Sequence, residues 1–92
     1  MHKVIKRMVI FFSKEFKKDY KKLPKKIQIQ TKKRIWFFKK NKNNPVLNNH
    51  KLHGEYDGFC SINISGNIRA IYEDLGKDDF LFIKIGTHSQ LY

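Results

Sequence analysis

The stretch GFCSINISGNIRAIYE, residues Gly58 to Glu73, decides the fold. Two runs rich in β-branched and aromatic residues flank Ser65-Gly66-Asn67, the pattern of a β-hairpin. Strict alternation puts Cys60, Ile62 and Ile64 on one face and Phe59, Ser61 and Asn63 on the other. In the second run Ile68, Ala70 and Tyr72 oppose Asn67, Arg69, Ile71 and Glu73. A two-residue turn at Ser65-Gly66 sets Ile62 opposite Arg69 and mixes the faces. A three-residue loop, Ser65-Gly66-Asn67, sets Ile64 opposite Ile68 and Asn63 opposite Arg69, so that the faces agree. Register follows the hydrophobic pattern, and Gly66 suits the left-handed position of such a loop. The three-residue loop is therefore expected.

Downstream, Phe80 to Ile85 reads as a further strand. Leu81, Ile83 and Ile85 are expected to join the Ile62 face, leaving Phe80, Phe82 and Lys84 on the open face. Upstream, "RMVIFF" (Arg7 to Phe12) reads as a first strand. Ser13 can cap a helix in which Phe16, Tyr20 and Leu23 recur at helical spacing, with lysines on the remaining surface. Pro24 ends this helix and suits the start of the next, which runs to Lys40. There Ile27, Thr31, Ile35 and Phe38 form one stripe, with Trp36 and Phe37 beside it. The segment Asn41 to Gly54, "NKNNPVLNNHKLHG", holds five Asn and a Pro and reads as a loop. The order β-α-α-β-β-β predicts an α+β fold: an antiparallel four-stranded β-sheet with an N-terminal helical hairpin packed on one face. Ninety-two residues make one domain, 1–92.

The net charge is +12, and it is uneven. Residues 1–53 hold 17 basic and 2 acidic side chains, whereas residues 54–92 hold 3 and 6. This exceeds the roughly 2–8 charges that solubility asks of a small domain and points to a polyanionic partner, nucleic acid or nucleoprotein. A basic amphipathic helix also suits a membrane surface, but here the apolar stripe is needed by the sheet. No apolar run approaches the about 20 residues that span a bilayer. The start, "MHKVIKRMVIFF", is too short in its apolar part for a signal peptide and has no small-residue cleavage site. The single cysteine, Cys60, suits a reducing cytoplasm. His50 and His53 lack supporting carboxylates and Cys60 faces the helices, so neither a metal nor another cofactor is expected.

What the residue types do support is metal-independent chemistry on a phosphodiester. Cutting RNA requires removing the 2′-hydroxyl proton, steadying the phosphorane and protonating the departing 5′-oxygen. Histidine suits either proton role, arginine the developing phosphate charge, and tyrosine can donate, accept or stack. His50, Arg69, His88 and Tyr92 are the candidate catalytic set. Lys84, Asn63, Asn67 and Lys51 are candidates for holding RNA or its phosphates. His53 reads as a bystander. The open sheet face, with Asn63, Arg69 and Lys84 between aromatic rings, is the expected seat for a phosphate backbone.

"KDYKKLPKKIQIQ", "NNPVLNNHKLHGEYDGFCSINISGNIRAIYE" and the terminal "IGTHSQLY" resemble the RelE/ParE toxin superfamily of bacterial type II toxin–antitoxin systems, most closely its YafQ-like branch. The resemblance covers nearly the whole chain after residue 7, and Gly-x-His-Ser-x-Leu-aromatic is its most specific motif. It implies a RelE-like fold and a cytoplasmic, ribosome-dependent mRNA endoribonuclease. It also implies a cognate antitoxin as partner, with which the toxin represses a shared operon on operator DNA. His50 resembles the loop histidine of YafQ-like toxins, His88 that of the C-terminal motif, and Arg69 the strand arginine of RelE-type toxins that contacts the scissile phosphate. Tyr92 takes the place of the terminal aromatic, and Lys84 replaces an arginine. At Asn63 and Asn67, YafQ-like enzymes carry a histidine and an aspartate that take part in cleavage. Asparagine exchanges no proton at neutral pH, so these roles are vacant or moved to His50 and His88. Two other readings stay open: a ParE-like, non-enzymatic inhibitor of DNA gyrase, and an RNA- or ribosome-binding module with decayed catalysis.

Overall fold

A computed structural model describes residues 7–92. The basic start weighed above as a signal peptide lies partly in residues 1–6, outside the described residues. The elements in order are β1 (Val9–Phe12), α1 (Lys14–Lys22), α2 (Lys25–Lys40), β2 (His50–Lys51), β3 (Cys60–Ser65), β4 (Ile68–Gly76), β5 (Asp79–Thr87) and α3 (His88–Leu91). Short 3-10 turns stand at Pro45–Leu47 and Gly54–Tyr56.

The sheet corrects the expected four antiparallel strands. It has five strands in the order β1-β5-β4-β3-β2, and β1 runs parallel to β5 with Val9 opposite Asp79 and Phe12 opposite Phe82. A parallel pair needs a long crossover, and the intervening helices and strands supply it. The fifth strand, β2, is two residues long and pairs antiparallel with β3. Two residues cannot show a period of two, which is why the sequence reads only as loop there.

The β3–β4 hairpin keeps the expected facing of its side chains but reaches it differently. Ser65, not Ile64, pairs with Ile68, and the turn is the two residues Gly66 and Asn67. Gly66 takes φ +50°, a value that suits glycine at the first position of a primed turn. A bulge at Ile64 then absorbs one residue and restores Asn63 opposite Arg69. A second bulge corrects the reading of β5. Ile71 pairs with Lys84 and Tyr72 with Phe82, which leaves Ile83 as the extra residue. The extra residue switches the alternation, so Phe80 and Phe82, not Leu81 and Ile83, face the core. Lys84 and Ile85 lie beyond the switch and keep their expected sides. Ser13 marks the spot: its N–H donates to Phe82 O (3.0 Å) and its Oγ to Ile83 O (2.9 Å), while Oγ also caps α1 by accepting from Phe16 N–H.

Both long helices cover the Ile62 face. Phe38, fully buried, meets Tyr72, Phe80 and Phe82 edge-on at centroid distances of 4.9, 5.2 and 5.4 Å. Phe16 packs on Phe12 and Phe82 at 5.1 and 5.9 Å. Burying one such ring contributes about 1.5–3 kcal/mol, and each aromatic contact adds about 0.5–1.5 kcal/mol. Thr31, also buried, returns its hydroxyl to Ile27 O. The helices are clasped at the Leu23-Pro24 turn, where Gln28 Nε2 donates to the Tyr20 and Leu23 carbonyls and Tyr20 Oη donates to Gln28 O. Beyond the clasp they part. An apolar groove of about 510 Å³ opens over Phe16, Tyr20 and Ile35, flanked by Trp36 and rimmed by Lys17, Lys21, Lys32 and Lys39. Trp36 is 55% exposed there.

Candidate active site

His50 is placed by a loop in which four of the five asparagines have a definite structural role. Asn41 Oδ1 accepts from Asn43 N–H, and Asn44 Oδ1 accepts from Val46 N–H, capping the turn that begins at Pro45. Asn48 adopts the left-handed conformation, φ 45°, which asparagine tolerates better than most residues. Asn49 donates to Lys42 O and accepts from the buried Tyr72 hydroxyl at 2.8 Å, tying the loop to the sheet. Leu47 and Leu52 are buried on either side. His50 then lies across from Ser61 in the β2–β3 ladder. Its Nδ1 stands 2.7 Å from Asn48 O. A carbonyl only accepts, so this contact places the proton on Nδ1 and leaves Nε2 as the basic nitrogen of the neutral ring.

On the same face of β3 and β4 stand Ser61, Asn63 and Arg69. Ser61 is fully buried, and neither its Oγ nor the buried Asn63 Oδ1 has a hydrogen-bond partner. Arg69 Nη1 donates to Gly66 O (2.7 Å) and Ile68 O (3.2 Å). The guanidinium is steadied by the turn through one nitrogen, which leaves the rest of the fork to a ligand.

The end of the chain is pinned rather than frayed. Thr87 and Gln90 form a reciprocal capping box: Gln90 N–H donates to Thr87 Oγ1 and Thr87 N–H to Gln90 Oε1. His88 N–H donates to Asn67 O at 2.9 Å, joining α3 to the β3–β4 turn. Its imidazole packs on the Tyr92 ring at 4.7 Å.

These three constructions meet. A cleft of about 260 Å³ is lined by His50, Leu52, His53, Ser61, Arg69, His88 and Tyr92. All four candidate catalytic residues thus share one concavity, with the imidazole of α3 and the guanidinium of β4 on the same side of the sheet. His53, read as a bystander, lines it too. Lys84, Lys51, Asn63 and Asn67 do not. Lys51 is exposed on β2, Asn67 is exposed in the turn, and Asn63 sits beneath, opposite Arg69. Lys84 Nζ is 3.6 Å from Glu15 Oε1 and 5.7 Å from the Tyr56 ring centroid. Tyr56 and then Glu15 hold this ammonium above the usual lysine range.

The rings expected beside the phosphate seat are corrected as well. Phe80 and Phe82 lie in the core; Tyr92 lines the cleft, with Tyr56 edge-on against it and Phe59 against Tyr56. Ser61 and Tyr56 carried no signal in the sequence; Ser61's only mark was its place on the polar side of β3. Among the described residues no group of three or more His, Cys, Asp or Glu side chains is arranged to hold a metal ion, and no helix is long and apolar enough to cross a membrane.

Comparison with known proteins came to three results. A family model described as the bacterial toxin of type II toxin–antitoxin systems, YafQ, matches residues 8–92. Comparison with curated protein sequences gives no match. Solved structures do match. YafQ from E. coli strain BL21(DE3) is 22% identical, with 94% of this chain and 99% of that one covered and a TM-score of 0.74. A chain of the E. coli DinJ–YafQ toxin–antitoxin complex is 23% identical, with coverage of 94% and 98% and a TM-score of 0.75. A YoeB/ParE toxin from Agrobacterium tumefaciens is 18% identical, with coverage of 88% and 99% and a TM-score of 0.74. At these identities the structural matches speak to the fold.

Proposed function

The chain belongs to the YafQ family of bacterial type II toxin–antitoxin toxins, and on that premise we propose that it is a cytoplasmic, metal-independent endoribonuclease that cuts mRNA on the ribosome. The observation that carries this reading is the convergence of His50, Arg69, His88 and Tyr92 on one cleft. Such chemistry needs a base, an acid and a phosphate-stabilising cation within reach of one phosphodiester.

His50 takes the role of base. With Nδ1–H held by Asn48 O, Nε2 accepts the 2′-hydroxyl proton as the 2′-oxygen bonds to phosphorus. Charge accumulates on the phosphoryl oxygens, where the fork of Arg69 is worth about 10²–10³ in rate by analogy with a single oxyanion donor. The P–O5′ bond breaks, and protonated His88 returns a proton to the 5′-oxygen. The products are a 2′,3′-cyclic phosphate and a 5′-hydroxyl end. Tyr92, half-exposed beside His88, orients that ring or stacks on a base. Lys51, Lys84, Asn63 and Asn67 hold the flanking RNA, and the lysines of α1 and α2 meet ribosomal phosphates.

The partner that neutralises the toxin is a cognate antitoxin, as in the DinJ–YafQ complex, with operator DNA bound by the pair. We place an acidic amphipathic helix of that antitoxin in the groove between α1 and α2, whose apolar floor and lysine rim complement it in both respects.

A second reading draws on Asn63 and Asn67, which cannot exchange protons: a ribosome-binding module without cleavage. New mRNA 5′ ends after induction separate the two, because the second reading predicts ribosome binding without them; growth assays on His88→Ala and Arg69→Ala test the site itself. Relief of growth arrest by both variants, each still folded, is the expected result. Undiminished toxicity in both rules out this site.

A further inference from the structure

The rings of Tyr92 and His88 belong to a four-residue helix at the edge of the cleft. One turn of helix cannot hold itself. Its start is fixed by the capping box and by the bond to Asn67, but at its far end the backbone contributes only Tyr92 N–H to His88 O. Tyr92 is 49% exposed, so little packing restrains its ring from the outside. What meets it is Tyr56, edge to face, at 5.6 Å and an interplanar angle of 89°. Tyr56 is itself held from two other directions. Phe59 approaches at 6.5 Å and 77°, and the Lys84 ammonium lies 5.7 Å from its ring centroid. Lys84 is tethered in turn to Glu15 on the first turn of α1. A continuous set of contacts therefore runs from α1 through β5 and the Gly54–Tyr56 turn to the imidazole of α3.

We propose that Tyr56 is a positioning residue: it sets the orientation of the Tyr92 ring and, through it, of the His88 imidazole. This rests on the nuclease reading of the cleft. Tyr56 does not line the cleft, so it acts on His88 without touching the reacting atoms. The Tyr56 hydroxyl, near the Lys84 ammonium, is also the first cause of that group's raised pKa. An edge-to-face pair of this kind biases an orientation by about 2- to 12-fold, and that is the scale of the effect.

Three variants of the full chain, assayed for mRNA cleavage on purified translating ribosomes, test it. Tyr56→Ala lowers kcat by about 2- to 12-fold with KM within twofold of wild type. Tyr56→Phe, which keeps the ring edge, restores kcat to within twofold. Tyr56→Ala added to Tyr92→Ala costs nothing further, because the ring it positions is gone. The His88 Cε1–H signal in NMR reads the same contact without catalysis: it shifts in Tyr56→Ala and stays in place in Tyr56→Phe. Wild-type kcat in Tyr56→Ala, a rise in KM alone, equal losses in the Tyr92→Ala background, or an unmoved His88 signal each overturns the positioning role. If the wild-type protein itself cuts nothing, the nuclease reading fails, and the NMR signal still shows whether Tyr56 orients His88.

Discussion

Asn63 faces Arg69 across the β3–β4 ladder, and its carboxamide oxygen is buried with no hydrogen-bond partner. A buried unsatisfied acceptor costs about 1–3 kcal/mol, and this one lies beneath the proposed phosphate site. In the resemblance to YafQ-like enzymes a histidine stands here. Asn63→His is expected to raise the mRNA cleavage rate about tenfold, a modest part of the 10²–10⁴ that a positioned acid or base contributes. An unchanged rate, measured on translating ribosomes with a variant of wild-type melting temperature, means that His50 and His88 already carry both proton transfers.

Arg69 separates charge from shape. Its Nη1 is anchored on the Gly66 and Ile68 carbonyls, and in the proposed mechanism the rest of the planar fork meets the phosphate. Arg69→Lys keeps the cation but loses the fork, so kcat should fall about 10- to 100-fold, with Arg69→Ala lower still. A lysine variant as fast as wild type would reduce the role of Arg69 to plain electrostatic attraction.

Tyr72 gives the fold an alkaline limit. Burial pushes its phenol well above the ordinary 10.0. The unfolded chain loses this proton near pH 10 while the folded chain keeps it, so stability is intact below pH 10 and falls as pH rises above it. Lys84, also raised, acts in the same direction above 10.5. Thermal unfolding followed from pH 8 to 11.5 should show a falling melting temperature from about pH 10 that is shallower in Tyr72→Phe. An equally steep fall in that variant would assign the transition to other groups. At pH 7 the same variant should lose about 1 kcal/mol, the hydrogen bond to Asn49.

Trp36 is the chain's single tryptophan and flanks the groove between α1 and α2. A helical peptide with leucine at every third or fourth position and glutamate between should blue-shift its fluorescence. Replacing the peptide's glutamates by lysine, or Lys32 and Lys39 of the protein by glutamate, should weaken binding at least tenfold at low salt. Equal binding of both peptides would remove the groove as the antitoxin's seat.

Much of the fold is legible in the sequence. Alternation in Cys60–Glu73 paired Asn63 with Arg69, and the helix stripe gave Thr31 and Phe38 to the core. The rest was hidden for identifiable reasons. A bulge inserts one residue without a compositional mark, so alternation alone puts Phe80 and Phe82 on the open face, whereas the extra residue Ile83 turns them into the core. The two residues of β2 are too few for any period. The parallel pairing of β1 with β5 is a property of the crossover, not of Val9–Phe12 itself. For the site, residue chemistry pointed to His50, Arg69, His88 and Tyr92. Ser61 and Tyr56 enter only through burial and ring geometry, which no spacing rule encodes.

The central claim is that the cleft cuts RNA between a 2′-hydroxyl and its 3′-phosphodiester. Its most direct test is to map and chemically type mRNA ends after brief induction, comparing wild type with His88→Ala. The account predicts new 5′-hydroxyl ends, paired with 2′,3′-cyclic phosphates, inside translated reading frames and absent from the variant. Growth arrest with intact mRNA, or the same ends in both strains, would contradict it.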